Sequence, residues 1–231
     1  MPAFPARLLE GYRTFASQRL PTEQSRYRHL AERGQSPEVM VIGCCDSRVS
    51  PEVIFDAGPG ELFVVRNVAN LVPVYQPDSG AHGVSAALEY AVSVLRVKHI
   101  VVLGHAQCGG IRAFIDDIEP LSPGDFIGKW MAMFIKPGEQ VEQREHETMQ
   151  DFTVRIEKAA VFRSLENLMT FPFVRAAVER GEMNLHGAYF GVAEGSLFVL
   201  DPATKEFRSV RDAAEKAGAA NGPEQDLPAE R

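Results

Sequence analysis

Apolar positions in the first part of the chain recur at helical spacing. Leu8, Tyr12 and Phe15 form a stripe that Leu9, Ala16 and Leu20 widen. A second helix is expected over about residues 22–33, stopping at Gly34. Such an amphipathic arm suits packing on a neighbour, in the same chain or another. The rhythm then changes. Residues 39–43 (VMVIG), 62–65 (LFVV) and 99–103 (HIVVL) are short β-branched runs bounded by glycine or charge, the pattern of buried strands. Between the second and third runs, Val84, Leu88, Ala91, Val92 and Leu95 share one helical face. Strands alternating with helices predict parallel pairing through crossovers. A helix-rich stretch over about residues 126–180 precedes two further strands, near 186–192 and 197–200. Ala193, Glu194 and Gly195 between them suit a hairpin, which makes the last strand antiparallel. The expected fold is α/β: a mostly parallel central sheet of about five strands with flanking helices and an N-terminal helical arm. The expected division is an arm at 1–34, an α/β domain at 35–217, and an Ala-, Gly-, Pro- and Glu-rich tail at 218–231 that is disordered.

Composition narrows the class. The 231 residues are 45% hydrophobic and 24% charged, enough for a core without disulfide staples. A formal net charge of -7 argues against a nucleic-acid partner, which needs a basic face. No apolar run approaches the roughly 20 residues of a membrane span. The opening MPAFPARLLEGYRTFASQRL lacks the unbroken apolar centre of a signal peptide. A soluble, cytoplasmic protein with no membrane partner is the expectation. Its three cysteines, two of them adjacent, make a poor disulfide framework and a better source of metal-binding thiolates.

Functional groups of an open parallel sheet gather at the carboxyl ends of its strands. Cys44-Cys45-Asp46-Ser47-Arg48 follows the first strand, and His105-Ala106-Gln107-Cys108-Gly109-Gly110 follows the third. If those strands are neighbours, both segments meet at one edge of the sheet. Sulfur and imidazole nitrogen together are the ligands zinc favours. One cysteine of the first segment with His105 and Cys108 makes three ligands, the count of a catalytic site that keeps a position for water. Cys45 is the candidate fourth. Adjacent residues in extended chain point to opposite faces, however, so Cys44 and Cys45 are not expected to share a metal. The same alternation puts Cys44, Asp46 and Arg48 on one side, if the chain stays extended that far. Taken singly, each residue has an ordinary reading: a free cysteine is usually a small buried apolar group, and Asp46 with Arg48 an ordinary surface pair. The combination after two parallel strands favours a metal site.

Residues 44–48 resemble the C-x-D-S-R signature of β-class carbonic anhydrases. Gly104-His105-Ala106-Gln107-Cys108-Gly109-Gly110 resembles their G-H-x-x-C-G-G signature, at a similar spacing. Gly60-Glu61-Leu62-Phe63-Val64-Val65-Arg66-Asn67 resembles the family's G-E-x-F-V-x-R-N stretch, and Ala87-Leu88-Glu89-Tyr90-Ala91 the helix before its HxxC strand. The resemblance is dense over about residues 35–111 and looser to about residue 210. It implies one zinc ion per chain on Cys44, His105 and Cys108, with Asp46 and Arg48 as the catalytic pair. It also implies substrate-binding positions at Gln35, Phe63, Val68 and Tyr90, as in the plant-like branch, and a contacting backbone N–H at Gly109. In that branch the glutamine and part of the apolar wall come from the partner subunit. A homodimer or dimer-based homotetramer with the pocket at the interface is thus implied.

The implied reaction is the reversible hydration of carbon dioxide to bicarbonate and a proton by zinc-bound hydroxide, a lyase activity. In the open-site pattern water takes the fourth metal position; in the alternative the aspartate binds the metal when its arginine lets go. Tyr90, His82 and His186 are candidates for proton exit, and the sequence does not choose among them. Rival readings are a carbonyl sulfide or carbon disulfide hydrolase on the same scaffold, and a non-catalytic zinc- or bicarbonate-binding protein. No GxGxxG or Walker-type loop follows a strand, and no G-x-S-x-G elbow is present, which disfavours a nucleotide-binding domain and a serine hydrolase.

Overall fold

β-Branched and aliphatic runs survive as central strands because a parallel sheet is covered on both faces. The computed structural model of the chain describes residues 4–135 and 141–211; the expected tail at 218–231 lies outside the described residues. Its strands are β1 (Val39–Cys44), β2 (Leu62–Asn67), β3 (His99–His105), β4 (Asn184–Gly191), β5 (Ser196–Leu200) and β6 (Phe207–Ser209). They form one sheet in the order β2-β1-β3-β4-β5-β6. The first four strands in that order pair in parallel. The pairs β4–β5 and β5–β6 are antiparallel. Among the described residues the sheet has six strands, one beyond the five runs read from the sequence. The addition is β6, a three-residue strand too short to carry a period. Strands β1 and β3 are direct neighbours, with Gly43 opposite Leu103.

The N-terminal arm is α1 (Ala6–Thr14), a wider-wound segment (Phe15–Arg19), and α2 (Leu20–Arg33). It ends at Gly34, whose φ of 82° closes the helix with an N–H bond to the Leu30 carbonyl. None of these helical residues is buried, and Tyr12 is 65% exposed. After β1 comes the short α3 (Pro51–Ile54), and after β2 comes α4 (Gly83–Glu89), which continues as a wider-wound segment over Tyr90–Leu95. The remaining helices are α5 (Gly109–Ile115), α6 (Phe126–Met131), α7 (Met149–Leu168) and α8 (Pro172–Glu179).

One face of the sheet carries Met40, Ile42, Ile100 and Val102 into the main core, against Leu88, Ala91, Val161, Leu168, Phe171 and Val174. Each such side chain contributes about 1.5–3 kcal/mol by leaving water. Close approach of α7 depends on Gly104: a Cβ there would stand 2.6 Å from Val161 Cγ2. The opposite face is thinner. Val41, Leu103 and Ala188 are buried there, while Val39, Leu62, Val64 and Val101 are covered only in part.

Candidate metal centre

The two central strands run one or two residues further than their apolar runs suggest, and the added residues carry the chemistry. Cys44 is the last residue of β1 and His105 the last of β3. Cys108 caps the N-terminus of α5. Alternation separates the adjacent cysteines as expected, Cys44 being buried and Cys45 exposed. The sulfurs of Cys44 and Cys108 lie 4.0 Å apart, and with a His105 ring nitrogen all three potential ligand atoms fall within 4.8 Å of one another.

His105 is 1% exposed. Its Nδ1 lies 2.9 Å from the Ala106 carbonyl, which assigns the ring proton to Nδ1. Nε2 is buried with no hydrogen-bond partner. A buried nitrogen lone pair left unused beside two thiol groups is costly unless something binds it. Two sulfurs and an imidazole so oriented fit zinc. The sulfur pair is poised for ionisation. Hydrogen bonding from Cys108, helped by His105, pulls the Cys44 thiol down against its burial. Cys44 and burial in turn push Cys108 up, since two sulfurs so close share one proton. Burial disfavours charged His105, but the neighbouring Cys44 sulfur outweighs it and raises the ring.

Beyond Cys44 the chain does not stay extended. Residues 47 and 48 form a turn, so Arg48 reaches Asp46 by folding back on it, not by strand alternation. Asp46 accepts from Arg48 Nε at 2.9 Å, from Nη2 at 2.7 Å and from the residue-48 backbone N–H at 3.0 Å. The Arg48 side-chain hydrogen bond holds the Asp46 carboxyl well below the usual carboxylate range. Arg48 Nη2 also donates to the Gln107 carbonyl at 3.0 Å, tying the first segment to the second. Arg66 braces the loop from below through the Cys44 and Asp46 carbonyls, at 2.7 and 2.6 Å.

A sequence model of the family described as carbonic anhydrase matches residues 39–197, well over half of the chain. A β-carbonic anhydrase of Coccomyxa, solved in complex with acetazolamide, superposes with a TM-score of 0.73 at 31% identity, over 86% of this chain and 87% of that one. The chain belongs to the β-carbonic anhydrase family. By that membership it is an enzyme, a carbonate dehydratase of the lyase class. A carbonic anhydrase of Pseudomonas aeruginosa is 35% identical over 218 residues, covering 94% of this chain and 97% of the relative. A crystal structure described among two tetrameric β-carbonic anhydrases of Sordaria macrospora gives a TM-score of 0.70 at 28% identity, over 84% and 95% of the two chains.

The remaining positions of this β-carbonic anhydrase fall into two groups. Val68 packs in the same apolar cluster as Cys44 and Cys108. Gly109 opens α5 beside Cys108, with open space where a side chain would stand. Gln35, Phe63 and Tyr90 lie elsewhere. Phe63 is four positions before Asn67, the residue opposite Cys44. That is about 13 Å of strand from the metal end. Its ring packs on that of Tyr90, with centroids 5.9 Å apart, and Gln35 is exposed ahead of β1. Among the candidates for proton exit, His82 is exposed and 2.7 Å from Asp78. His186 pairs with His99 at 3.1 Å, four positions before Phe190, the partner of His105.

Residues not singled out from the sequence also build the centre. Trp130 Nε1 donates to the Val68 carbonyl at 2.7 Å. Glu157, 2% exposed, accepts the Cys108 backbone N–H at 2.9 Å and the Tyr189 hydroxyl at 2.6 Å. Burial pushes the Glu157 carboxyl up, against the pull of those donors. The signal for Glu157 was present: it stands in line with Val161, Ser164 and Leu168 on the buried face of α7, where a carboxylate is out of place.

Proposed function

We propose that the chain catalyses the reversible hydration of carbon dioxide to bicarbonate and a proton, with one zinc ion held by Cys44, His105 and Cys108. The observation that carries this reading is the buried, unpartnered Nε2 of His105 converging with two sulfurs beside the bidentate Asp46–Arg48 pair. A zinc ion bound there supplies Lewis acidity, drawing the ionisation of water down from about 15.7 towards neutrality. Two thiolates cancel its formal charge, so the working pH lies higher than for three neutral histidines.

Asp46, kept ionised and in one orientation by Arg48, accepts a hydrogen bond from the attacking oxygen and turns its lone pair towards the carbon. The Gly109 N–H and Gln35 stabilise the oxygen that becomes negative. Val68, Phe63 and Tyr90 give an apolar gas an apolar slot. Phe63 stands at the far end of β2 from the metal ligands, Tyr90 packs on it and Gln35 lies ahead of β1, and we assign all three to the site of a partner copy. The exposed apolar positions of the arm and the thin second face of the sheet support a homodimer, or a homotetramer built from dimers. We read residues 1–34 as the arm and 35–217 as the catalytic domain. Free thiols at the centre suit a reducing, cytoplasmic setting.

The test is stopped-flow hydration of carbon dioxide with a pH indicator, on zinc-loaded protein from about pH 7 to about pH 9. Fast hydration that rises with pH is expected. No hydration with zinc confirmed bound overturns the reading, and parallel assays on carbonyl sulfide and carbon disulfide then identify a sulfur-gas hydrolase.

A further inference from the structure

The peptide joining Gln107 to Cys108 is held at both ends. Its carbonyl accepts from Arg48 Nη2 at 3.0 Å, and its N–H donates to Glu157 Oε1 at 2.9 Å. A trans peptide points these two groups in opposite directions, so Arg48 pulls from the side of the catalytic pair and Glu157 from the buried side. Gln107 has a φ of 57°, a left-handed conformation that a residue with a side chain adopts only under constraint. Glu157 is itself fixed: Tyr189 donates to its other oxygen at 2.6 Å, and both residues are buried.

We propose that Glu157 is the positioning residue of this centre, setting the plane of the 107–108 peptide and through it both Cys108 and Arg48. The carboxylate touches neither substrate nor metal. Its effect is relayed: Tyr189 holds Glu157, Glu157 holds the Cys108 N–H, the Gln107 carbonyl holds Arg48, and Arg48 holds Asp46. Rotation of that one peptide would loosen a metal-binding sulfur and withdraw one of the arginine's anchors together. This inference rests on the zinc and hydration reading above.

The test uses full-length, zinc-loaded protein and three substitutions. Glu157→Leu removes the acceptor at similar bulk; Glu157→Gln restores one acceptor oxygen for the Cys108 N–H. Zinc release to a chelator is expected to be about 10- to 100-fold faster in Glu157→Leu, the usual range for a lost outer partner of a metal ligand. Glu157→Gln is expected to return most of that loss. In hydration assays, Glu157→Leu lowers kcat with KM little changed. Its effect is less than additive with that of Arg48→Ala, because both act through one peptide. If Glu157→Leu does not fold, Tyr189→Phe, which slackens Glu157, takes its place in the same cycle with the same expectation. Wild-type zinc release in Glu157→Leu, no rescue by Glu157→Gln, or full additivity with Arg48→Ala overturns the proposal. Zinc release needs no turnover, so a wild-type protein that hydrates no carbon dioxide defeats the functional reading and leaves this test intact.

Discussion

Asp46→Asn keeps the shape of the side chain and removes its charge, which isolates the role assigned to the carboxylate. Asp46 serves three donors, two from the Arg48 side chain and one from the residue-48 backbone. An amide offers one oxygen to replace two. If that oxygen keeps Arg48 Nε and the backbone N–H, the amide NH2 faces Arg48 Nη2, donor against donor. The attacking oxygen meanwhile loses a charged acceptor. A hydrogen bond to a charged group is worth about 1.5–3 kcal/mol, and the Asp46 side chain is only 16% exposed, so screening removes little of it. At about 1.4 kcal/mol per factor of ten, kcat/KM is expected to fall about 10- to 150-fold. Metal content is expected to match that of the wild type, because the carboxylate is not among the three converging ligand atoms. The Arg48 hydrogen bond keeps Asp46 ionised throughout the neutral range. Its removal is therefore expected to lower the rate across the whole neutral range. Stopped-flow hydration with metal analysis on the same samples measures both. A zinc-loaded Asp46→Asn protein within about threefold of wild type would refute the reasoning.

Cys108→Ser replaces a soft thiolate with a hydroxyl that does not ionise near neutrality, so zinc and hydration are expected to be lost together; metal analysis after dialysis checks it. Gly110→Ala places a Cβ 2.6 Å from Val68 Cγ1 and 3.1 Å from Ala69 Cβ. The expected cost is about 1–3 kcal/mol of overpacking, read from the midpoint of denaturant unfolding. Arg48 holds the folded-state value of Asp46 below the unfolded one, so the pair adds stability above the ordinary aspartate value of about 3.9 and loses it as pH falls further. Arg48→Ala removes most of that lowering, and its acid-unfolding midpoint, followed by circular dichroism, is expected to move to higher pH.

The central strands were legible because β1 and β3 are almost wholly buried and are written in Val, Ile and Leu. Their last residues were not, since Cys44 and His105 break the apolar run although the ladder continues through them. Strand β6 was invisible for a different reason. It exists because Asp201 organises the preceding turn, accepting the N–H groups of Ala203 and Thr204, and three residues then fall alongside β5. The convergence of His105 and Cys108 with one cysteine of the 44–45 pair was readable from residue type and spacing, and the choice of Cys44 followed from the family resemblance. The turn that brings Arg48 onto Asp46 was not, because alternation describes only extended chain. Trp130, Glu157 and Tyr189 reach the centre from three other elements. No local pattern announces a contact made across 62 or 49 residues of sequence, as those of Trp130 with Val68 and of Glu157 with Cys108 are.

The adjacency of Cys44 and Cys45 has a consequence for how the chain reaches its native state. Side chains on a strand alternate, so a slip of β1 by one position would turn Cys44 outward and bring Cys45 to the place beside His105 and Cys108. A sulfur would still meet the ion, and a metal-loaded species would form with Asp46 and Arg48 displaced from their stations. Metal occupancy is thus a poor proofreader of this strand. Discrimination falls to the hydrophobic register, in which Met40 and Ile42 enter the main core and Val41 the thinner one. The yield of active protein is therefore expected to be lower after refolding with zinc present throughout than after refolding with zinc added last.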